Sequence, residues 1–293
     1  MIKEQTRDLN KVAKVYDGES STIYRLDDGR LYKEAKPMLL DICLRTGVDY
    51  EGKLLSTNAA TIGEIVNPIT ITYTGRHCTG FTMSEEVGPT LNSYDDLYTL
   101  QQRSDLVAYA DLFSKIESVV KRANRVGVVM PDLCTCDNII IKEDGTLKFI
   151  DFDGMQFGKR DKSIAFSTSL RHMEQYLMSG KFVDGPFHFT KELDITSLTI
   201  LMFLVVFNID LNKVGMIHPY TGRRITLEEM FEQLGLDDDE LLRKIKANLS
   251  LNQRGTYIGE DLVRISQKYE MSTVEVPRYI KSDGYYLKTL RRK

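Results

Sequence analysis

Short β-like runs dominate the chain up to about residue 88, and apolar positions recur every three or four residues through most of the remainder. Strand-like runs occupy Lys11–Tyr16, Ser21–Leu26 and Arg30–Ala35, and Asp27-Asp28-Gly29 between the last two suits a hairpin turn. Pro37–Ile62 has helical spacing at Leu39, Leu40, Cys43 and Leu44 and again at Leu54 and Leu55. This predicts one helix, either continuous or broken, weakened at Gly47 and Gly52. Strands are predicted again at Ile69–Thr74 and Gly80–Glu85, on either side of a turn at Gly75–His77.

The clearest helix follows. Leu106, Val107, Ala110, Phe113, Ile116, Val119, Val120 and Ala123 mark one apolar face between Ser104 and Arg125, with Ser104 as the expected N-cap. Asn138–Lys142 and Leu147–Asp151 then read as a hairpin through Glu143-Asp144-Gly145, and the pattern is mainly helical to the end. The apolar run Ile200–Phe207 predicts a buried helix or strand. The change of pattern near residue 88 divides the chain into a β-rich part, 1–87, and a helical part, 88–293, an α+β organisation.

Composition narrows the function classes. The 293 residues, 42% of them hydrophobic, are enough for one large domain or two coupled lobes. With 28% charged residues and a net charge of −3, no global field points to nucleic acid or to an anionic membrane. The cysteines at 43, 78, 134 and 136 form no CxxC pair and the histidines at 77, 172, 188 and 218 fall in no metal or triad spacing. Reduced thiols in a cytoplasmic protein are the expectation. The polar start, MIKEQTRDLNK, is unlike a signal peptide, and Ile200–Phe207 is too short to span a bilayer. The basic end, Lys288–Lys293, reads as a frayed, solvated tail.

Candidate chemistry is concentrated in Val128–Gly154, VVMPDLCTCDNIIIKEDGTLKFIDFDG, where an Asp and an Asn in a loop precede a hairpin that ends in a second acidic cluster. Phosphoryl transfer needs such a set: one carboxylate to orient the attacking hydroxyl, and an amide and a carboxylate to hold magnesium against phosphates. Asp132-Leu133, Asn138-Ile139-Ile140-Ile141 and Asp151-Phe152-Asp153-Gly154 resemble the catalytic loop and metal-binding motif of the protein-kinase-like superfamily. Asp153 matches an Asp-Phe-Asp variant of divergent members. Two departures are plain: Met130-Pro131 stand where the family has His-Arg, and Asp132 lies six residues before Asn138 where the family pattern has five.

The resemblance implies a bilobal kinase-like fold, with a small β-rich N-lobe and a larger helical C-lobe, that binds ATP with Mg2+. It implies Asp132 as catalytic base, with Asp137 the alternative, and Asn138 and Asp151 as magnesium ligands. Lys33 occupies the place of the strand lysine that meets the phosphates. Alternation turns Lys33 inward, where it needs an anionic partner, and Glu51 is the expected one, with Glu64 in reserve. Gly18, Ser20 and Ser21 lie where the glycine-rich loop would be, although one glycine replaces several, and Met83–Glu86, including Glu85, corresponds to the hinge that faces adenine. Asp194, within Leu193–Leu198, corresponds to an Asp that bonds the catalytic-loop backbone.

The segment from Asp153 to Asp194 has no Ala-Pro-Glu, so the acceptor stays open. Protein Ser or Thr is the leading acceptor, and a small hydroxylated molecule, as in aminoglycoside and choline kinases, is the alternative. A pseudokinase that binds nucleotide as a scaffold is the reading from another class. Ser163, Ser167, Thr168 and Ser169 beside Lys159, Arg160, Lys162 and Arg171 are candidate phosphorylation positions.

Overall fold

β-Branched and aromatic residues dominate the early strands, and a computed structural model shows how they pair. It describes residues 2–57, 62–91, 105–131, 133, 136–157, 189–207, 226–250, 253–274 and 287–292. Six strands, β1 (Ile2–Gln5), β2 (Lys11–Asp17), β3 (Ser21–Leu26), β4 (Leu31–Ala35), β5 (Thr70–Thr74) and β6 (His77–Met83), form one sheet in the order β1-β5-β6-β4-β3-β2. All neighbours are antiparallel except β1 and β5. β1 has no alternation in its sequence. Its place comes from the backbone ladder to β5 and from polar links such as Arg30 to Glu4 at 3.0 Å.

The helix expected over Pro37–Ile62 is broken into two. α1 (Pro37–Thr46) begins with Pro at its first turn and ends at Gly47, whose φ of 68° is the left-handed conformation that favours glycine at a helix end. α2 (Tyr50–Thr57) starts beyond it, with Asp49 Oδ1 accepting from Gly52 N at 2.9 Å. Gly47 is therefore a stop signal, whereas Gly52 lies inside the second helix.

The amphipathic helix is α3 (Leu106–Arg125). Its cap is Asp105, which accepts from Val107 N and Ala108 N; the expected cap, Ser104, lies outside the described residues. The short strands β7 (Val128–Val129), β8 (Ile139–Ile141), β9 (Leu147–Phe149) and β10 (Gln156–Phe157) follow; β8 pairs with β9, and β7 with β10. Leu193–Phe207 is helical rather than extended, within α4 (Lys191–Phe207), and is buried almost throughout. α5 (Leu227–Leu234), α6 (Asp239–Leu249) and α7 (Gly259–Lys268) complete the helical part.

The chain then returns to strand. β11 (Tyr269–Val274) pairs antiparallel with β12 (Leu287–Arg292), and β12 runs beside α4 and α5. The basic end is thus part of a sheet and not a free tail, because ladder hydrogen bonds and the neighbouring helices supply what composition did not signal.

One buried carboxylate ties α3 to α7. Glu117 Oε2 accepts from Ile258 N and Gly259 N, both at 2.7 Å, so a side chain of one helix caps the start of another. Glu117→Ala leaves two buried N–H groups unpaired and should lower stability by about 2–4 kcal/mol, with Glu117→Gln milder, as read by urea unfolding.

The β-rich and helical parts join at β8 and β9. Val66 N donates to Phe149 O at 2.9 Å on one side, and Leu91 N donates to Ile139 O at 2.7 Å on the other. Gly88, with φ 156°, permits this second junction, since a Cβ there would run into the carbonyl of Ile141. The protein is therefore a mixed α+β structure with a six-stranded N-terminal sheet, and the Asp151 hairpin is anchored to both parts.

Candidate functional site

The centre of the site is an ion cluster that brings residue 33 to residues 151 and 153. Lys33 is only 4% exposed, and alternation along β4 turns its side chain toward the interior, as its sequence position predicts. Its ammonium donates to Asp151 Oδ1 and to Asp153 Oδ1, the latter at 2.6 Å. Burial alone would lower the Lys33 pKa, but the two carboxylates outweigh it and hold the pKa above its ordinary value. Burial likewise raises Asp151, yet the Lys33 charge prevails and leaves it below the usual range. Asp153 goes the other way: burial, with the charge of Asp151 behind it, leaves it raised.

Asp151 follows β9 with φ 62°, the one non-glycine residue with positive φ among the described residues. Asp tolerates this conformation better than most residues, and it sets the Asp151 side chain beside a lysine and a second carboxylate. Its side chain is 37% exposed while that of Asp153 is 6% exposed. Asp151 can be approached from solvent and Asp153 cannot.

Asn138 ends the short 3-10 turn Cys136–Asn138 that leads into β8, the other strand of the hairpin. Its carbonyl accepts from Ile150 N at 3.0 Å, and its residue lines one small cavity with Asp151, Met130, Leu133 and Met155. Asp137 is exposed and accepts from Thr90 Oγ1 at 3.4 Å. Asp132 lies outside the described residues, as do Ser163, Ser167, Thr168 and Ser169.

Glu51 is not the partner of Lys33. It accepts from Lys3 Nζ at 2.8 Å and from Tyr73 Oη at 2.6 Å, on the side of α2 away from the cluster. The reason is helical phase: Tyr50, Lys53 and Leu54 share the buried face of α2, and residue 51 is rotated about 100° from residue 50. Glu64, the reserve, pairs with Arg122. The sequence reading missed two residues here. Lys53, 2% exposed, donates to the carbonyl of Met155, and Asp153 supplies the anion that Lys33 requires. The missed signal was the spacing Tyr50, Lys53, Leu54, which places a lysine on the inward stripe.

Gly18 and Ser20 lie in the short connection from β2 to β3 and Ser21 is the first residue of β3, and register places them at one end of β4: Ser21 lies opposite Ala35 while Ile23 lies opposite Lys33. Lys36 closes this connection by donating to the carbonyl of Gly18 and pairing with Asp17 at 2.8 Å. Bonds from Lys36 first, then Lys14 and Thr22, hold the Asp17 carboxyl well below its ordinary range. Glu85 lies past the opposite end, where Leu31 faces Met83, and Arg25 Nε donates to it at 3.0 Å. Connection, lysine and Glu85 are thus ordered along one strand about 13 Å long.

The loop that begins at Met130 is fixed from below. Met130 N donates to Asp194 Oδ1 at 2.8 Å and Asn124 Nδ2 donates to Oδ2 at 2.5 Å, so the expected bond from α4 to this backbone is present. Burial pushes the Asp194 carboxyl up to about 7, despite the two hydrogen bonds that favour its ionised form. An unfolded Asp ionises near pH 4, so from there to about pH 7 the folded chain holds one more proton, and the stability due to that proton is lost as pH rises through the window. Asp194→Asn removes the slope. Wild-type unfolding free energy, relative to this variant, should fall by on the order of 3 kcal/mol from pH 5 to pH 8 in urea titrations.

The donor set is one of hard oxygens. Two carboxylates facing one ammonium leave the cluster with an excess negative charge, and Asn138 lines the cavity beside Asp151. Among the described residues no group of three or more His, Cys, Asp or Glu forms a metal cage. Hard oxygen donors too few to enclose an ion suit a hard divalent cation, magnesium among them, that completes its shell with phosphate and water. No protein-family model matches the sequence, and no curated protein matches it.

Proposed function

We propose that the protein is an ATP- and Mg2+-dependent phosphotransferase of bilobal, protein-kinase-like build that moves the γ-phosphate to a hydroxyl, with protein Ser or Thr the leading acceptor. The observation that carries this reading is the meeting of Lys33 with Asp151 and Asp153 beside Asn138. The ordering along β4 supports it: a nucleotide laid along the strand would put its base near Met83–Glu86 and its phosphates near Lys33.

In this reading Lys33 holds the α- and β-phosphates, Asp151 and Asn138 hold magnesium, and Asp132 takes the proton of the attacking hydroxyl. Bound magnesium supplies charge neutralisation on the phosphates. Asp194 steadies the loop through Met130 N.

A nucleotide-binding scaffold is the second reading, favoured by Lys36, which fastens the β2–β3 connection where a phosphate-covering loop would need to move. Single-turnover transfer from ATP with Mg2+ separates the two. The phosphotransferase reading predicts loss of γ-phosphate within the assay, with Asp132→Asn retaining nucleotide affinity but slowing transfer about 100-fold or more. Tight binding without any turnover would support the scaffold instead. Full activity in Asp132→Asn would move the base to Asp137.

A further inference from the structure

We infer that Asp153, and not a glutamate of α2, is the positioning residue for Lys33, and that Asp151 is the partner Lys33 gives up when a nucleotide and its metal bind. This deepens the proposed function and rests on it for its ligand, though the ion pair itself does not. Three observations carry it. Asp153 is the buried partner, with a side chain 6% exposed and a 2.6 Å contact to Lys33, whereas Asp151 is 37% exposed and open to a ligand. Glu51 is committed to Lys3 and Tyr73. Finally, α2 reaches the segment after Asp153 through Lys53, which donates to the carbonyl of Met155, so that helix braces the backbone carrying the acids rather than the lysine.

The physical consequence is an exchange. A buried ammonium with no anion is costly, so Lys33 must keep one carboxylate whenever Asp151 turns to a metal. Asp153 provides it without moving. If Asp153 is made neutral, Lys33 has only Asp151, and magnesium must compete with the lysine for that carboxylate.

The test is a Mg2+ titration at fixed ATP, reading nucleotide binding by fluorescence of a labelled ATP analogue, in wild type, Asp153→Asn, Glu51→Gln and Lys33→Met/Asp153→Asn. Asp153→Asn should raise the Mg2+ needed for half-saturation at least tenfold. Glu51→Gln should leave it within twofold. The double variant, titrated at ATP raised to offset its weaker nucleotide binding, should lose most of the tenfold shift, because no lysine remains to hold Asp151. A general loss of structure would not be relieved by removing the lysine. An unchanged requirement in Asp153→Asn, or an equal shift in Glu51→Gln, would overturn the inference.

A second readout needs no ligand. Urea unfolding of wild type, Lys33→Met, Asp153→Asn and the double variant forms a cycle in which the two changes should be coupled by at least tenfold in the folding equilibrium constant. If wild type shows no Mg2+-dependent binding, the proposed function fails while the cycle still decides the pairing. Additive effects in the cycle would overturn it.

Discussion

Asp151→Asn is expected to fold as the wild type does and to lose Mg2+-dependent transfer by about 10^2- to 10^3-fold or more, the scale for removal of one preorganised electrostatic group. Retention of the fold follows from the backbone: φ at 151 is 62°, a conformation that Asn accepts at least as well as Asp. Retention also follows from the charges, since Lys33 keeps Asp153 and the repulsion between two neighbouring carboxylates disappears. Circular dichroism and urea midpoints should therefore change little while activity collapses. A variant that unfolds would assign Asp151 to scaffolding, and one that keeps full activity would remove it from the chemistry.

Lys33→Met should cost both stability and binding. Met fills much of the same volume, but it leaves Asp151 and Asp153 facing each other without a cation. Breaking a buried pair by removing one partner typically costs about 3–5 kcal/mol. Partial exposure of Asp151 puts the expectation at the lower end. The same variant should lose nucleotide affinity. Urea unfolding and ATP titration together check both, and a stable Lys33→Met would show that the acids have another counterion.

How much of this was legible beforehand depends on where each signal lay. Local pattern found α3, whose apolar residues recur at three and four, and the β8–β9 hairpin, whose Glu143-Asp144-Gly145 turn sits between two apolar runs. The acidic motif at Asp151 and the inward turn of Lys33 were equally readable, because a motif and a two-residue period are short-range features. What stayed hidden is long-range. β1 owes its position to β5, about 70 residues away in sequence, and β12 owes its strand form to β11 and two helices.

The misassigned partner of Lys33 has a different cause. Distance along the chain and sign of charge both suited Glu51, but the phase of α2 was not fixed by its weak pattern, and one residue of rotation exchanges Glu51 for Lys53 on the inner face. Asp153 was visible as part of the Asp-Phe-Asp variant, yet only the turn after β9 shows that two carboxylates of one motif close on one lysine. Gly47 illustrates the same limit at a smaller scale: its helix-weakening effect was evident, while its left-handed cap, which splits the predicted helix in two, depends on backbone geometry.

The central claim is that Lys33, Asn138 and Asp151 form one site for a magnesium nucleotide. Isothermal titration of ATP into the protein, with Mg2+ and then with the metal chelated, tests it most directly. Saturable 1:1 binding that weakens at least tenfold without Mg2+, and loses that metal dependence in Asp151→Asn, is the predicted result. Absence of binding with Mg2+, or the same affinity with and without it, would contradict the claim.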